Sequence, residues 1–320
     1  MKKPITALLT AALLLTTAAC SAGGSDIDQP VQGTSASAGV TDGSATIPAV
    51  QAGEPAAEED PAEEPAEEPD ETEPVGELEE QILVDEEDIR ITATGLEDTW
   101  MGPALKVLIE NNSDTDLTFQ TRATSVNGYM IDTMFSPDVA AGKKANDEIT
   151  LSASEMEAAG IDQIADIETI FHVFTTEDWE AYHDTDPVSI RTSIAEDHEY
   201  SFDDSGEVLY DDKDIRIIAK GISKDDSWFG PGLVVFIENL SDVSITVQAR
   251  DVSANGFMVD TIFSPDIAPG KRVLDAVTFM ETDLEANSIE EITEVELGFH
   301  IFETDEWETI VDTEKYSLEF

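Results

Sequence analysis

Beyond residue 88 the chain is made of short stretches in which hydrophobic and polar residues alternate. Ile89–Ala93 and Leu105–Ile109 are two of them, and Leu117–Val126 is a longer run rich in β-branched residues. Alternation with a period of two is typical of a strand with one buried face. Asn127-Gly128 separates this run from Tyr129–Phe135, and both residues tolerate the positive φ of a tight hairpin. The pattern predicts antiparallel strands joined by short turns.

This pattern occurs twice. Residues 100–192 align with residues 228–320 at a constant offset of 128 without a gap, and 42 of the 93 aligned pairs are identical. The match continues upstream to Asp88-Ile89-Arg90 and Asp214-Ile215-Arg216, where the offset is 126, because the second copy has two extra residues near Asp225. A period of this length indicates a duplicated domain and not a solenoid repeat.

Each copy also contains a predicted helical turn and further strands. Ser154-x-x-Glu157 and Thr282-x-x-Glu285 are capping boxes, and the strands Ile167–Phe174 and Val188–Thr192 follow in the first copy. Seven or so short strands in about 110 residues predict an all-β fold of two tandem immunoglobulin-like β-sandwiches. The predicted inward-facing residues of the first copy are Leu105, Val107, Ile109, Ile167, Phe171 and Val173.

The amino terminus predicts secretion and a lipid anchor. Lys2-Lys3 precedes an apolar run, Ile5–Leu15, that suits a signal peptide and is too short to span a membrane. Thr17-Ala18-Ala19-Cys20 resembles the lipobox of bacterial lipoproteins, in which the cysteine sulfur receives a diacylglyceryl group. The alternative is an ordinary cleaved signal with a cysteine nearby. We expect residues 1–19 to be removed and Cys20 to anchor the protein on the extracellular face of the cell membrane.

The next segment is predicted to be a disordered linker, residues 20–82. Residues 53–80 hold 14 acidic residues and no basic ones. Low hydrophobicity and like charge cannot bury enough surface to offset the entropy of ordering. The remaining predicted boundaries are 83–192 for the first sandwich, 193–206 for a hydrophilic linker and 207–320 for the second sandwich.

Charge and cysteine content limit the partners and cofactors. The 320 residues include 16 Lys and Arg against 71 Asp and Glu, a formal net charge of −55. Such a charge repels phosphate, so we expect no nucleic-acid partner. The single cysteine excludes a disulfide framework and a Cys-based zinc site. Capture of calcium or a basic partner by the acidic linker is the less favoured alternative to a simple spacer.

Six short motifs recur in both copies: Trp-x-Gly-Pro, a strand ending in Ile-Glu-Asn, the Asn-Gly hairpin, Phe-Ser-Pro-Asp, Gly-Lys and Phe-His-x-Phe. This combination resembles uncharacterised surface lipoproteins of the Gram-positive type, and the resemblance covers residues 83–320. It implies tandem immunoglobulin-like (telokin-like) extracellular sandwiches, and it brings no catalytic residues. The sequence also has no nucleophile elbow, phosphate loop, paired-His zinc motif or EF-hand spacing, so we expect no enzyme.

Tryptophans are the first candidates for binding. Trp100 and Trp228 lie in the Trp-x-Gly-Pro motifs, where an exposed indole would stack on a sugar ring or anchor a protein partner. The alternative is a tryptophan that caps one end of the sandwich. Trp179 and Trp307, in acidic loops, allow the same two interpretations.

A polar stripe along one predicted strand is the second candidate. Its residues are Thr118, Gln120 and Arg122 in the first copy and Thr246, Gln248 and Arg250 in the second. Arginine in such a stripe would hold a carboxylate of a ligand. The alternative is a solvated face on which Arg122 pairs with a nearby acid such as Glu110 or Asp132.

His172 and His300, in the Phe-His-x-Phe strands, are the third candidate. A strand period of two turns them away from Phe171 and Phe299, and a metal role would need ligands from a neighbouring strand. The alternative is a hydrogen-bonded structural histidine. Calcium is a further possible cofactor, because acidic pairs are frequent, but no calcium-loop spacing is present and no metal ligands are assigned. The acidic pairs are Asp85–Asp88, Asp211–Asp214 and Asp225-Asp226.

The sequence favours a non-catalytic, lipid-anchored surface protein. Its duplicated domains would bind an unidentified envelope or extracellular partner, either a protein or a component of the cell wall. Two alternatives stay open: a structural spacer without a ligand and a calcium-dependent adhesion module.

Overall fold

A computed structural model of the protein describes residues 77–86, 88–223 and 231–320, and it contains two β-sandwiches in one compact unit of the chain. The first sandwich consists of β1 (Gln81–Asp85), β2 (Ile89–Thr99), β3 (Gly102–Asn111), β4 (Leu117–Val126), β5 (Tyr129–Met130), β6 (Thr133–Met134), β7 (Asp138–Val139), β8 (Lys143–Leu151), α1 (Ala153–Ala158), β9 (Asp166–Thr175), β10 (Ala181–Asp184) and β11 (Val188–Arg191). The second consists of β12 (Glu207–Asp211), β13 (Ile215–Ile222), β14 (Gly232–Asn239), β15 (Ile245–Ala254), β16 (Phe257–Met258), β17 (Thr261–Ile262), β18 (Asp266–Ile267), β19 (Arg272–Phe279), α2 (Glu281–Ala286), β20 (Glu294–Glu303), β21 (Thr309–Asp312) and β22 (Tyr316–Glu319).

Each sandwich has two antiparallel sheets that enclose one hydrophobic core. The strand orders are β1-β2-β3-β8-β6 and β10-β9-β4-β5 in the first sandwich, and β12-β13-β14-β19 and β16-β15-β20-β21 in the second. The six predicted inward-facing residues of the first copy are all at most 2% exposed. The predicted all-β fold, two tandem immunoglobulin-like sandwiches with a short helix each, is therefore confirmed.

The signal peptide, Cys20 and most of the predicted acidic linker lie outside the described residues. Within the described part of the chain, no helix is long and apolar enough to cross a membrane. The anchor therefore stays a prediction.

The Asn-Gly hairpins are confirmed. Asn127 and Asn255 have φ values of 49° and 50°, in the left-handed region that asparagine adopts more readily than most residues. The Asn127 side chain also donates a hydrogen bond to the C=O of Gln163 and accepts one from the N–H of Ala165, each at 2.8 Å. The turn residue thus holds the chain that leads into β9.

The predicted capping boxes are wrong. Helix α1 begins before Ser154, which lies inside its first turn, and the helix has no side-chain capping hydrogen bond. The carboxylate of Glu155 instead accepts the backbone N–H of Asp132 at 2.6 Å. The second sandwich repeats this bond between Asp283 and the N–H of Asp260 at 2.7 Å. These helices are held by a distant part of the chain, which local spacing does not reveal.

A buried asparagine fixes the turn after β3. The Asn111 amide donates to the C=O groups of Thr115 and Val139, each at 2.8 Å. Its Oδ1 accepts the N–H of Ser113 at 3.0 Å and the Ser113 hydroxyl at 2.6 Å. Asn239 makes the corresponding hydrogen bonds in the second sandwich. The Asn of the Ile-Glu-Asn motif is therefore a structural residue in both copies.

The two sandwiches are joined through one continuous sheet. Strands β5 and β19 run parallel, and the Arg272 N–H donates to the C=O of Gly128 at 3.0 Å. Across the same contact, Lys271 Nζ lies 3.0 Å from the carboxylate of Glu168. The Arg272 guanidinium lies over the ring of Phe202, 3.7 Å from its centroid. This contact, called the junction below, combines a backbone hydrogen bond, an ion pair and a cation–π interaction.

The second sandwich brings an apolar outer face to the junction. Ile218 and Phe236 are at most 1% exposed, and both pack into the core cluster of the first sandwich. The Phe236 ring meets Tyr129 edge to face, with 6.3 Å between centroids. The aligned residues of the first copy are Thr92 and Leu108. The two large apolar residues, Ile218 and Phe236, therefore occur in the second copy, whose outer face is covered by the first sandwich.

Acidic side chains lie beside the junction. Burial raises the pKa of Glu155 to about 7, and the charges of Asp132 and Asp275 add to this effect. Burial also raises the pKa of Asp275, which lies on β19. Because both groups ionise less readily in the folded state than in the unfolded state, folding favours their protonated forms. Their contribution to stability therefore falls as the pH rises.

We expect Asn111→Ala to lower the free energy of unfolding by about 2–4 kcal/mol, because the buried C=O of Val139 and the N–H of Ser113 lose their partner. Asn112→Ala is the matched control, since Asn112 is exposed and we expect a change within about 0.5 kcal/mol. Urea denaturation followed by circular dichroism measures both. A loss below about 1 kcal/mol for Asn111→Ala would contradict the structural role.

We expect Glu155→Gln to stabilise the protein at pH 8 by about 1–2 kcal/mol, after a discount for the partial exposure of the group. The penalty of ionising Glu155 in the folded state grows between its ordinary pKa of 4.5 and its folded value of about 7, so wild type and variant should converge below pH 4.5. Thermal melts from pH 4 to 8 test this, with exposed Glu157→Gln as the control. A difference that is the same at every pH would refute the assignment.

Candidate functional site

The predicted polar stripe and the predicted histidine lie side by side. On the outer face of the second sheet of the first sandwich, Gln120 on β4 is directly opposite His172 on β9. Arg122 lies two residues further along the same face, opposite Ile170. The second sandwich repeats the arrangement with Gln248 opposite His300 and Arg250 opposite Gly298. The two candidates, which were predicted separately, therefore form one surface in each copy.

This surface, called the repeated face below, also includes a stacked tryptophan. Trp179 lies on Phe174 with 5.5 Å between ring centroids and an angle of 17°, and it is 75% exposed. Trp307 lies on Phe302 in the same way, at 5.4 Å and 18°, and is 74% exposed. The members of the repeated face are Gln120, Arg122, His172, Phe174 and Trp179 in the first sandwich and Gln248, Arg250, His300, Phe302 and Trp307 in the second.

Each histidine of the repeated face is oriented by an aspartate on the next strand. His172 Nδ1 lies 2.5 Å from the Asp184 carboxylate, and His300 Nδ1 lies 2.6 Å from that of Asp312. The hydrogen bond uses Nδ1, so Nε2 is the ring's second polar atom. This agrees with the interpretation of hydrogen-bonded structural histidines. The sequence signal that could have revealed the partner is the Asp-Thr pair that recurs at Asp184 and Asp312.

Arg122 does not make the predicted ion pair with Glu110. Glu110 lies against Lys144 and Arg90 instead. Within the described part of the chain, neither Arg122 nor Arg250 makes an ion pair, although both are exposed in a very acidic protein. Arg250 donates only to the amide oxygen of its neighbour Gln248. Among the described residues, the guanidinium groups are therefore free of carboxylates in both copies.

Thr118 plays a structural part in the predicted stripe. It is buried, and its hydroxyl bonds to the Asp138 carboxylate at 2.6 Å and to the Thr176 hydroxyl at 3.0 Å. Thr246 makes the corresponding bonds to Asp266 and Thr304 in the second sandwich. The exposed chemistry of the stripe thus comes from its glutamine and arginine.

Of the Trp-x-Gly-Pro tryptophans, only Trp100 is among the described residues, and Trp228 lies outside them. Trp100 is 93% exposed, so it does not cap the sandwich. It lies in the turn between β2 and β3, away from the repeated face on β4 and β9. The structure therefore leaves Trp100 as an isolated exposed indole.

The acidic pairs considered for calcium are used within the fold. Asp85 lies 3.8 Å from Arg90, and Asp211 lies 3.6 Å from Arg216. The pair Asp225-Asp226 lies outside the described residues. Among the residues that the structure describes, no group of three or more His, Cys, Asp or Glu side chains is close enough to hold a metal ion.

A cavity of about 420 Å³ with mixed polar and apolar lining lies elsewhere in the first sandwich. It is lined by the Asn-Gly hairpin, the loop after α1 and residues 198–201 of the segment between the sandwiches. His198 and Tyr200, which contact each other edge to face, belong to that segment.

Comparison with known proteins gives likenesses to solved structures. The chain matches no protein-family model and no curated protein. Among solved structures it is similar to the YadV chaperone, with 12% identity and a TM-score of 0.24 over 72% of this chain and 100% of that chain. It is also similar to the Salmonella enterica SafA pilin in complex with the SafB chaperone, with 8% identity and a TM-score of 0.20 over 68% of this chain and 89% of that chain.

Proposed function

We propose that the protein is a non-catalytic lipoprotein, anchored through Cys20 on the extracellular face of a bacterial cell membrane. Its two sandwiches bind an envelope or extracellular partner through the repeated face. The observation that carries this proposal is the repetition itself: a glutamine, an unpaired arginine, an aspartate-bound histidine and an exposed stacked tryptophan lie together in both copies.

The backbone of the tryptophans supports a binding role. Trp179 and Trp307 have φ values of 58° and 59°. The left-handed conformation costs a residue with a Cβ about 1–2 kcal/mol, a cost that glycine avoids. A loop required only to turn would be more stable with glycine at these places. The cost in both copies therefore favours a function for the exposed indoles.

The arginines support recognition of an acidic group. In a chain with a net charge of −55, a surface arginine readily finds a carboxylate partner. Arg122 and Arg250 are nevertheless free of ion pairs among the described residues, and each is next to a glutamine on the same strand face. A guanidinium and an amide on one face can together bind a carboxylate or a sugar hydroxyl of a partner.

We expect the double variant Arg122→Ala/Arg250→Ala to reduce capture of the partner at least tenfold, because a charged hydrogen bond is lost at both sites. Residues 21–320 are immobilised and exposed to solubilised envelope and to insoluble peptidoglycan, and bound material is identified by mass spectrometry. Arg191→Ala is the matched control, since Arg191 is an exposed arginine outside the repeated face. Enrichment that is equal in all variants, or no enrichment above bare matrix, would favour the spacer without a ligand.

We expect Cys20→Ala to release the protein from the membrane, because the predicted diacylglyceryl group has no other attachment site in a chain with one cysteine. Fractionation of cells followed by immunoblotting measures the share in the membrane pellet, and Ser21→Ala is the control. A variant that stays in the pellet and resists extraction with high salt would refute the anchor.

A further inference from the structure

The second sandwich has an open end that its counterpart in the first sandwich does not have. At the junction, Tyr129 is only 6% exposed because the second sandwich covers it. The aligned residue of the second sandwich, Phe257, is 48% exposed, and the neighbouring Met258 is 64% exposed. Both lie on β16, which pairs with the last residues of β15. The residues around β16, called the open end below, thus present an apolar surface.

The open end repeats two of the groups that hold the junction in the first sandwich. Gly256 corresponds to Gly128, whose C=O accepts the N–H of Arg272. Glu296 corresponds to Glu168, which pairs with Lys271 at 3.0 Å. Two groups of the receiving side of the junction are therefore present a second time, and no sandwich among the described residues lies against them.

The junction shows what chemistry this kind of surface binds. The second sandwich contributes an edge strand, β19, whose first residue Arg272 follows Lys271. Beside this basic pair lies the apolar outer face formed by Ile218, Phe236 and Leu274. An occupant of the open end needs the same combination of an edge strand, two adjacent cations and an apolar sheet face.

A second copy of this chain does not supply that combination. At the positions of Phe236, Leu274 and Ala276 the first copy has Leu108, Asn146 and Glu148. Its β8 retains the basic pair, Lys143 and Lys144, but the sheet face beside it is largely polar. The net charge of −55 adds repulsion between copies.

The charge around the open end favours a cationic occupant. Glu290 and Glu291 of the second copy replace Asp162 and Gln163 of the first, so the loop after α2 is more acidic than the loop after α1. Glu290 and Glu291 are exposed, as is Glu296. Basic residues on the partner would complement these carboxylates, as Lys271 complements Glu168.

We propose that the open end docks a β-sandwich domain of another protein, whose docking face combines an apolar sheet surface with two adjacent basic residues on an edge strand. The interaction copies the junction and is separate from the repeated face on β15 and β20. The proposal goes beyond the proposed function and does not depend on the arginines or tryptophans of the repeated face.

The test gives the first sandwich the docking residues that it lacks at exposed and half-buried positions, and it leaves buried Thr92, the counterpart of Ile218, unchanged. In residues 21–320, the triple variant Leu108→Phe/Asn146→Leu/Glu148→Ala restores the residues of the second copy at half-buried or exposed positions. We expect this variant to form head-to-tail oligomers in sedimentation velocity at about 0.15 M salt, with self-association at least tenfold tighter than in wild type. Wild type should remain monomeric. Adding Phe257→Asp to the triple variant should return it to a monomer.

Ile310→Asp in the triple variant is the matched control, since Ile310 is 45% exposed on β21 and should leave the oligomers intact. A triple variant that stays monomeric with an unchanged circular dichroism spectrum overturns the proposal, as do oligomers that survive Phe257→Asp. Wild-type oligomers that Phe257→Asp abolishes also overturn it, because the occupant would then be a second copy. If the triple variant misfolds, Asn146→Leu/Glu148→Ala at two exposed positions is measured against the same outcomes.

Discussion

Contact between the two sandwiches depends on apolar side chains that point out of their own domain. Ile218 and Phe236 lie on the outer face of the second sandwich and are buried only because the first sandwich covers them. Burying two such side chains is worth roughly 3–6 kcal/mol. That contact also shields the Lys271–Glu168 ion pair from part of the solvent and leaves Glu155 in a site where ionisation is costly. The junction therefore determines which surfaces of each copy stay exposed to solvent.

Comparison of the copies inside one chain distinguishes structural from surface positions. Asn111 and Asn239 make the same four hydrogen bonds, so their repetition reflects the fold. At Thr92 and Ile218 the copies differ, and only Ile218 is at the junction. The repeated face differs from both kinds of position. Its glutamine, arginine and tryptophan are the same in both copies, although their side chains contribute little to the core.

Every candidate on the repeated face was visible in the sequence, but the face itself was not. Gln120 and His172 are 52 positions apart, and the register between β4 and β9 makes them neighbours. Trp179 stacks on Phe174 and is nevertheless exposed. A sequence pattern cannot distinguish such an exposed tryptophan from a buried one. The carboxylates near Arg122 were expected to neutralise it, yet Glu110 binds Lys144 and Arg90 on another sheet. Long-range pairing decided each of these outcomes.

The sequence by itself determined the strands, the Asn-Gly hairpins, the duplication and the inward-facing residues, because these depend on alternation and on local backbone preferences. It did not determine where α1 begins, since Glu155 bonds to the distant N–H of Asp132 and not to its own helix end. Nor did it determine which outer face is covered. A period of two assigns a side chain to one of two faces, but only the packing of one sandwich on the other decides that Phe236 is buried and Phe257 is exposed.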